Sequence, residues 1–182
     1  MAGVVYSIGH STLAADAFFA ALAAHEVRTL ADVRAHPGSR RHPHFARAAL
    51  AAGAAARGLA YHWMPGLGGR RRAGGGPSRH PAWEVDAFRH YADYADTAEF
   101  AAALALLTDA ARAAPTAFMC AEALWWQCHR RLIADHLLVA GWDVRHVGRD
   151  GAVVAHRLPE FARVADGGLV YDVGVTPPLV GG

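Results

Sequence analysis

Between Cys120 and Arg130 the chain reads C-A-E-A-L-W-W-Q-C-H-R, which places both of its cysteines beside a carboxylate, a histidine and an arginine in one short stretch. Three chemistries are open to it. A thiol at a helix start next to Arg130 would have its pKa lowered, which makes Cys128, or else Cys120, a candidate nucleophile or redox thiol. Glu122, held near Leu124, Trp125 and Trp126, could be a carboxyl with a raised pKa serving as general acid or base. Zinc on Cys120, Cys128 and a histidine is the metal alternative, although the gap between the cysteines matches no close-paired zinc knuckle. Two inert buried thiols remain the plain alternative. Neighbours on a helix diverge by about 100°, so Cys128 and His129 are not expected to meet one atom squarely. His129 then reads as an orienting or substrate-binding residue.

Other reactive residues follow other apolar runs. His10 and Ser11 come directly after residues 4–8; a hydroxyl there would cap the following helix, and the free amides of its first turn could hold an anion. His10 is placed where a base or metal ligand would stand, and with Glu122 it forms the candidate acid/base pair. Asp32 and Arg34 lie two apart at the end of a strand and point the same way, either as a structural ion pair or as an anion clamp with Asp32 positioning Arg34. Ser39, Arg40 and Arg41 follow. Gly68 and Gly69 would let backbone amides approach a ligand, with Arg70 folding over it. The candidate anion site is therefore Ser11, Arg34, Ser39, Gly69, Arg70, His129 and Arg130.

The elements that must position these residues alternate. Strands are expected at residues 4–8, 29–33, 59–64, 116–119 and 143–147, and helices at 18–25, 45–57, 83–113 with a break near Asp96, and 128–139. Alternation of this kind predicts an α/β fold, one three-layer domain with an open, mainly parallel, Rossmann-like sheet flanked by helices. The C-terminal ends of parallel strands and the N-termini of the following helices share one edge, which is where such folds bind ligands. Residues 66–81 lack periodicity and read as a lid. Residues 1–148 form the expected domain, and residues 149–182 a C-terminal extension with edge strands at 153–154 and 169–171 and a poorly ordered Pro-Pro-Leu-Val-Gly-Gly tail.

At 182 residues the chain suits one domain. Its formal charge of +2 is nearly balanced, yet all 18 basic residues are arginine, grouped at residues 40–41, 70–72 and 130–131. Arginine suits forked recognition of phosphate, so a phosphate-bearing small molecule or nucleotide is the expected partner, with nucleic acid as the alternative. No Walker loop, G-x-G-x-x-G, G-x-S-x-G, H-E-x-x-H or C-x-x-C occurs. That disfavours common NTPase, dinucleotide-binding and α/β-hydrolase readings, and no motif calls for a cofactor. Without a charge-free apolar stretch of spanning length or a leader-like start, the chain reads as cytoplasmic and not as a membrane protein. A structural disulfide is disfavoured there.

The ordered set Y-S-I-G-H-S-T, L-A-D-V-R-A-H-P-G-S-R-R-H-P-H-F, L-G-G-R, F-R-H-Y-A-D-Y and C-A-E-A-L-W-W-Q-C-H-R-R-L-I-A-D resembles the bacterial domain-of-unknown-function family 488. The resemblance runs from Val4 to about Val147. The family's motif positions fall on His10, Ser11, Asp32, Arg34, Ser39, Phe45, Gly68 to Arg70, Cys120, Glu122 and Cys128 to Arg130. The stretch between Arg72 and Ala87 departs from it, as does Ala95, where a methionine is common. What the resemblance implies is a compact α/β domain, without an established reaction.

Overall fold

Short runs rich in valine, isoleucine and aromatic residues become strands, and the alanine-rich stretches between them become the helices that cover them. A computed structural model describes residues 3–165 and 167–175. In chain order the elements are β1 (Val4–Gly9), α1 (Ala15–Ala23), β2 (Thr29–Asp32), α2 (Arg47–Ala55), β3 (Ala60–Trp63), α3 (Asp86–Ala95), α4 (Ala98–Ala113), β4 (Thr116–Cys120), α5 (Arg130–Val139), β5 (Asp143–Val147), β6 (Val153–Ala155), β7 (Ala162–Ala165) and β8 (Gly168–Tyr171).

Six strands form one sheet in the order β3-β2-β4-β1-β5-β6, parallel except for the antiparallel β5–β6 pair at one edge. β4 enters between β1 and β2, and every residue of both β2 and β4 is buried. Alternate strand residues face opposite layers. Ile8, Leu30, Ala117 and Met119 pack with Phe18, Phe19 and Leu22 of α1 and Leu50 of α2. Val5, Ala31 and Phe118 pack with Tyr91 of α3, Leu107 of α4 and Ile133 of α5. The result is the expected three-layer α/β domain.

Register brings the reactive strand ends level. Gly9 pairs with Cys120 and Asp32 with Met119, and pairing continues past the strands as His10 N–H donates to the Cys120 carbonyl (3.0 Å) and Ser11 N–H to the Ala121 carbonyl (2.9 Å).

Several boundaries differ from the sequence reading. The first helix begins at Ala15, with Ala14 at its N-cap and no side-chain cap, so Ser11 and Thr12 do not cap it. Trp83 lies before α3, in a loop, where it packs against Phe88, Phe161 and Tyr171. The break near Asp96 is present, and Thr97 caps α4 by accepting from Phe100 N–H (3.3 Å). Residues 169–171 do not extend the main sheet: β8 pairs with β7 in a separate hairpin whose Leu169 and Tyr171 enter the core beside α5. The Pro-Pro-Leu-Val-Gly-Gly tail lies outside the described residues. Among the described residues no helix is long and apolar enough to cross a membrane.

Candidate active site

At the C-terminal edge of β1, β4 and β2 a crevice of about 1310 Å³ opens, and His10, Ser11, Arg34, Ser39, Gly69, Arg70, Cys120, Glu122, Cys128 and His129 all line it. Arg130 does not. Its guanidinium turns inward and is buried, donating to Ser7 Oγ (3.1 Å) and to the carbonyls of Glu122 (2.6 Å) and Ala123 (3.4 Å). It holds the cysteine loop from behind instead of meeting a ligand. Gly9 permits this, because a Cβ there would stand 1.7 Å from the Glu122 carbonyl oxygen and 2.8 Å from an Arg130 nitrogen.

The two sulfurs lie 2.9 Å apart, Cys120 at the end of β4 and Cys128 two residues before α5. The Cys128 sulfur also faces His129 Nδ1 (3.4 Å) and the Arg130 backbone N–H (3.5 Å), the first amide of α5. Two negative charges this close are unfavourable, so one sulfur keeps its proton. Cys120 keeps it: burial raises its pKa well above the ordinary thiol value. The S–H it donates lowers the pKa of Cys128, with His129 and Arg130 adding to the effect against the opposing cost of burial. These contacts favour the thiolate form at Cys128 over that at Cys120. The expected divergence of Cys128 and His129 does not occur, because Cys128 is extended (φ −132°, ψ 152°) and lies outside the helix. His129 Nε2 donates to the Val33 carbonyl (3.1 Å), which turns Nδ1 to the sulfur. Gly69 fits against this ring, where a Cβ would come within 2.5 Å of Nδ1.

Cys120, Cys128 and His129 offer ligand atoms within 4.8 Å of one another, a donor set that suits zinc and other soft metals. A histidine that gives its other N–H to a carbonyl is also the usual second-shell arrangement of a metal ligand. The sulfurs, however, stand closer than the ~3.7 Å that two thiolates take on tetrahedral zinc.

Arg34 and His10, beyond the ends of β2 and β1, also line the crevice. Asp32 takes the guanidinium of Arg34 with both carboxylate oxygens (2.8 and 2.6 Å) and also accepts from Tyr61 OH (2.7 Å). The remaining fork donates to the Phe45 carbonyl (2.9 Å) and to His10 Nε2 (3.3 Å). Arg34 is therefore both the structural ion pair and a crevice residue, and its charge is already balanced. An arginine can only donate, so His10 Nε2 accepts, and Nδ1–H donates to the Ser11 carbonyl (2.9 Å). Burial pushes the pKa of this imidazole down to about 4, and Phe45 stacks on its face at 4.1 Å. With both nitrogens engaged, His10 has no free lone pair for the proton transfer expected of it.

Other expectations change with exposure. Glu122 is solvent-exposed, so the apolar enclosure expected around its carboxyl does not form. The Ser11 amide is taken by Ala121 and so does not serve an anion. Ser39 Oγ accepts from His42 N–H (3.0 Å) and fixes the arginine-bearing turn. Arg71 folds back onto the Gly66 and Gly68 carbonyls (2.8 and 3.0 Å) and over the Tyr94 ring. That pins the near end of the loop read as a lid.

The remaining lining divides into two characters. Arg40, Arg41 and Arg70 are exposed and, among the described residues, form no ion pair. Val85, Leu124 and Trp126 line the same crevice with 55%, 39% and 47% of their surface open. Sequence reasoning missed Val85 as a lining residue and took Trp126 only as a neighbour of Glu122. An exposed tryptophan inside the reactive loop was the available signal.

A second polar cluster lies behind the loop, sealed from solvent. His156 Nε2 donates to Asp135 (2.7 Å), Tyr171 OH donates to the other oxygen of Asp135 (2.8 Å), and His146 Nε2 meets His156 Nδ1 (3.0 Å). Burial raises the Asp135 pKa and lowers that of His146. Trp125 stacks flat on His146 at 4.0 Å and so ties this cluster to the cysteine loop.

The fold is a mostly parallel α/β sheet with two cysteines at its C-terminal edge and exposed arginines lining the crevice there. The chain matches the family model described as Domain of unknown function DUF488 over residues 14–137, and it belongs to that family. The match takes in every crevice residue named above except His10 and Ser11. No curated protein and no solved structure matches the chain.

Proposed function

We propose that the protein is a small thiol-dependent enzyme, a hydrolase or transferase, acting on a phosphorylated or nucleotide-like substrate. The observation that carries this reading is the placing of Cys128, whose sulfur meets Cys120, His129 and the first amide of α5 on the wall of a large crevice, contacts that favour a thiolate. A stabilised thiolate with open space before it is the arrangement of covalent catalysis. Cys128 attacks the electrophilic centre, and the exposed carboxyl of Glu122 on the same wall serves the proton transfers.

The lining supports the substrate class. Arg40, Arg41 and Arg70 carry charge that no acidic group of the described residues neutralises, and guanidinium forks match phosphate oxygens. Trp126, Leu124 and Val85 offer the same ligand an apolar, partly aromatic surface suited to a ring system. Asp32, Arg34, His10 and Phe45 hold the strand ends rigid.

The test is a thermal-shift screen of nucleotides and sugar phosphates, followed by turnover of each hit with the native protein and with Cys128→Ala. The expected result is stabilisation by phosphate-bearing compounds and turnover abolished in the variant, with binding retained. Binding without turnover, unchanged by Cys128→Ala and falling steeply with salt, would instead support a noncatalytic nucleotide- or nucleic-acid-binding module. Its cysteines would then be structural or zinc-binding.

A further inference from the structure

The nucleophile assigned to the crevice has an unusual neighbour. Besides His129 and the first amide of α5, the partner nearest to Cys128 is a second thiol, 2.9 Å away at the end of β4. Cys120 belongs to the buried core, and its sulfur also accepts from Glu122 N–H (3.3 Å) while facing Cys128.

We propose that Cys120 and Cys128 form a reversible intramolecular disulfide when a hydroperoxide enters the crevice, which withdraws the nucleophile and protects it from further oxidation. The inference rests on the reading of Cys128 as the crevice thiolate. A disulfide needs sulfurs about 2.05 Å apart, so closure asks for a movement of less than about 1 Å along the line on which the two atoms already face each other. Both cysteines border the open crevice with 2% and 4% of their surface exposed, and that narrow opening is where a small peroxide would reach Cys128.

The chemistry takes two steps. Cys128 S⁻ attacks the terminal oxygen of R–O–O–H; an S–O bond forms, the O–O bond breaks, and the departing RO⁻ takes a proton from solvent as ROH. Cys128 is then a sulfenic acid. The Cys120 sulfur next attacks Cys128 Sγ; the S–S bond forms, the S–O bond breaks, and the hydroxide leaves as water with the proton of Cys120. Two electrons pass from the pair of sulfurs to the peroxide oxygens. An external dithiol reverses the result by thiol–disulfide exchange, taking up the oxidation itself.

The arrangement assigns the two cysteines different parts. Cys128 is attacked by oxidants because it is the thiolate, and Cys120 resolves the sulfenic acid because it is the protonated neighbour within reach. Without Cys120, the sulfenic acid is left to proceed to sulfinic and sulfonic acids, which dithiols do not reverse.

Peptide mass spectrometry tests this on the full chain, without a substrate. Reduced protein is exposed to hydrogen peroxide, free thiols are blocked with iodoacetamide in urea, and the digest is read without reduction. The expected result is a single chain in which the Cys120 and Cys128 peptides are joined with the loss of two hydrogens. Neither cysteine carries the alkyl group, and dithiothreitol restores alkylation at Cys128. Cys120→Ser, with its native fold checked by circular dichroism, is expected to gain two or three oxygens at Cys128 that dithiothreitol does not remove. The proposal is overturned if the native protein accumulates sulfinic acid at Cys128 with Cys120 still free, if the cysteines link separate chains, or if peroxide leaves both thiols alkylated. Stoichiometric zinc in the purified protein, with both sulfurs protected, overturns it as well. The reading of the crevice as an enzyme fails on a different result, namely turnover that survives Cys128→Ala.

Discussion

Two polar clusters flank the loop between β4 and α5, and both contain buried groups with displaced pKa values. One opens on a crevice; the other is shut. In the first, the Cys128 sulfur meets Cys120, His129 Nδ1 and the first amide of α5 and borders the crevice with 4% of its surface open. In the second, Asp135 accepts from His156 and Tyr171 and His146 meets His156, among α5, β5, the segment after β6 and the C-terminal hairpin, with His146 Nδ1 left without a partner among the described residues. Perturbed titration alone would mark both as sites. Access separates them: the closed cluster fastens the hairpin to the sheet and, through Trp125, holds the loop on which the open one depends.

The sharpest way to break this distinction is Asp135→Ala. Leaving His156 and Tyr171 without their buried partner is expected to cost about 3–5 kcal/mol in urea denaturation. A loss below about 1 kcal/mol would show that the cluster does not fasten the fold. Arg130→Met comes next. It leaves Ser7 and the Glu122 carbonyl without their donor at about 1–3 kcal/mol for each buried group, and because that carbonyl belongs to the cysteine loop, it is also expected to slow Cys128 alkylation. Unaltered stability would contradict the role of Arg130 as a brace.

Much of this was legible in the sequence, and the limits have physical reasons. Parallel strands ending in reactive residues could be read because periodicity is local and strand ends in α/β folds share an edge. What Arg130 does could not, since its direction depends on the missing Cβ of Gly9, a residue distant in the chain. The meeting of Cys128 with His129 depends on a backbone that stays extended one residue longer than a helix start suggests. The engagement of both His10 nitrogens depends on Arg34 from another strand. The closed cluster did leave a trace: Asp135 interrupts the apolar face of α5 made by Leu132, Ile133 and Leu137, and a carboxylate among such neighbours requires a partner.

Acidity gives a third and smaller test. The pKa values of His10 and His136 are both pushed by burial from 6.5 to about 4. The unfolded chain therefore binds more protons than the folded one between these values. Stability is present in full above about pH 6.5 and falls progressively toward about pH 4. Urea midpoints that do not change across this window would contradict the neutral state of these rings. Smallest is the paired comparison of the two tryptophans. Trp126→Ala, at an exposed position, is expected to change stability by less than about 0.5 kcal/mol while weakening binding of any nucleotide hit. Trp125→Ala loses the stack on His146, at least about 0.5–1.5 kcal/mol. Reversed effects on stability would mean that the open and closed sides of the loop are wrongly assigned.

The central claim is that Cys128 is a thiolate facing the crevice while Cys120 keeps its proton, and iodoacetamide alkylation of the reduced protein as a function of pH tests it most directly, with each site resolved by mass spectrometry. The account predicts rapid modification of Cys128 at a rate nearly constant from about pH 6 to about pH 8, with Cys120 slow throughout. A Cys128 rate that climbs about tenfold with each pH unit over that range, as an ordinary thiol's does below its pKa, would contradict it.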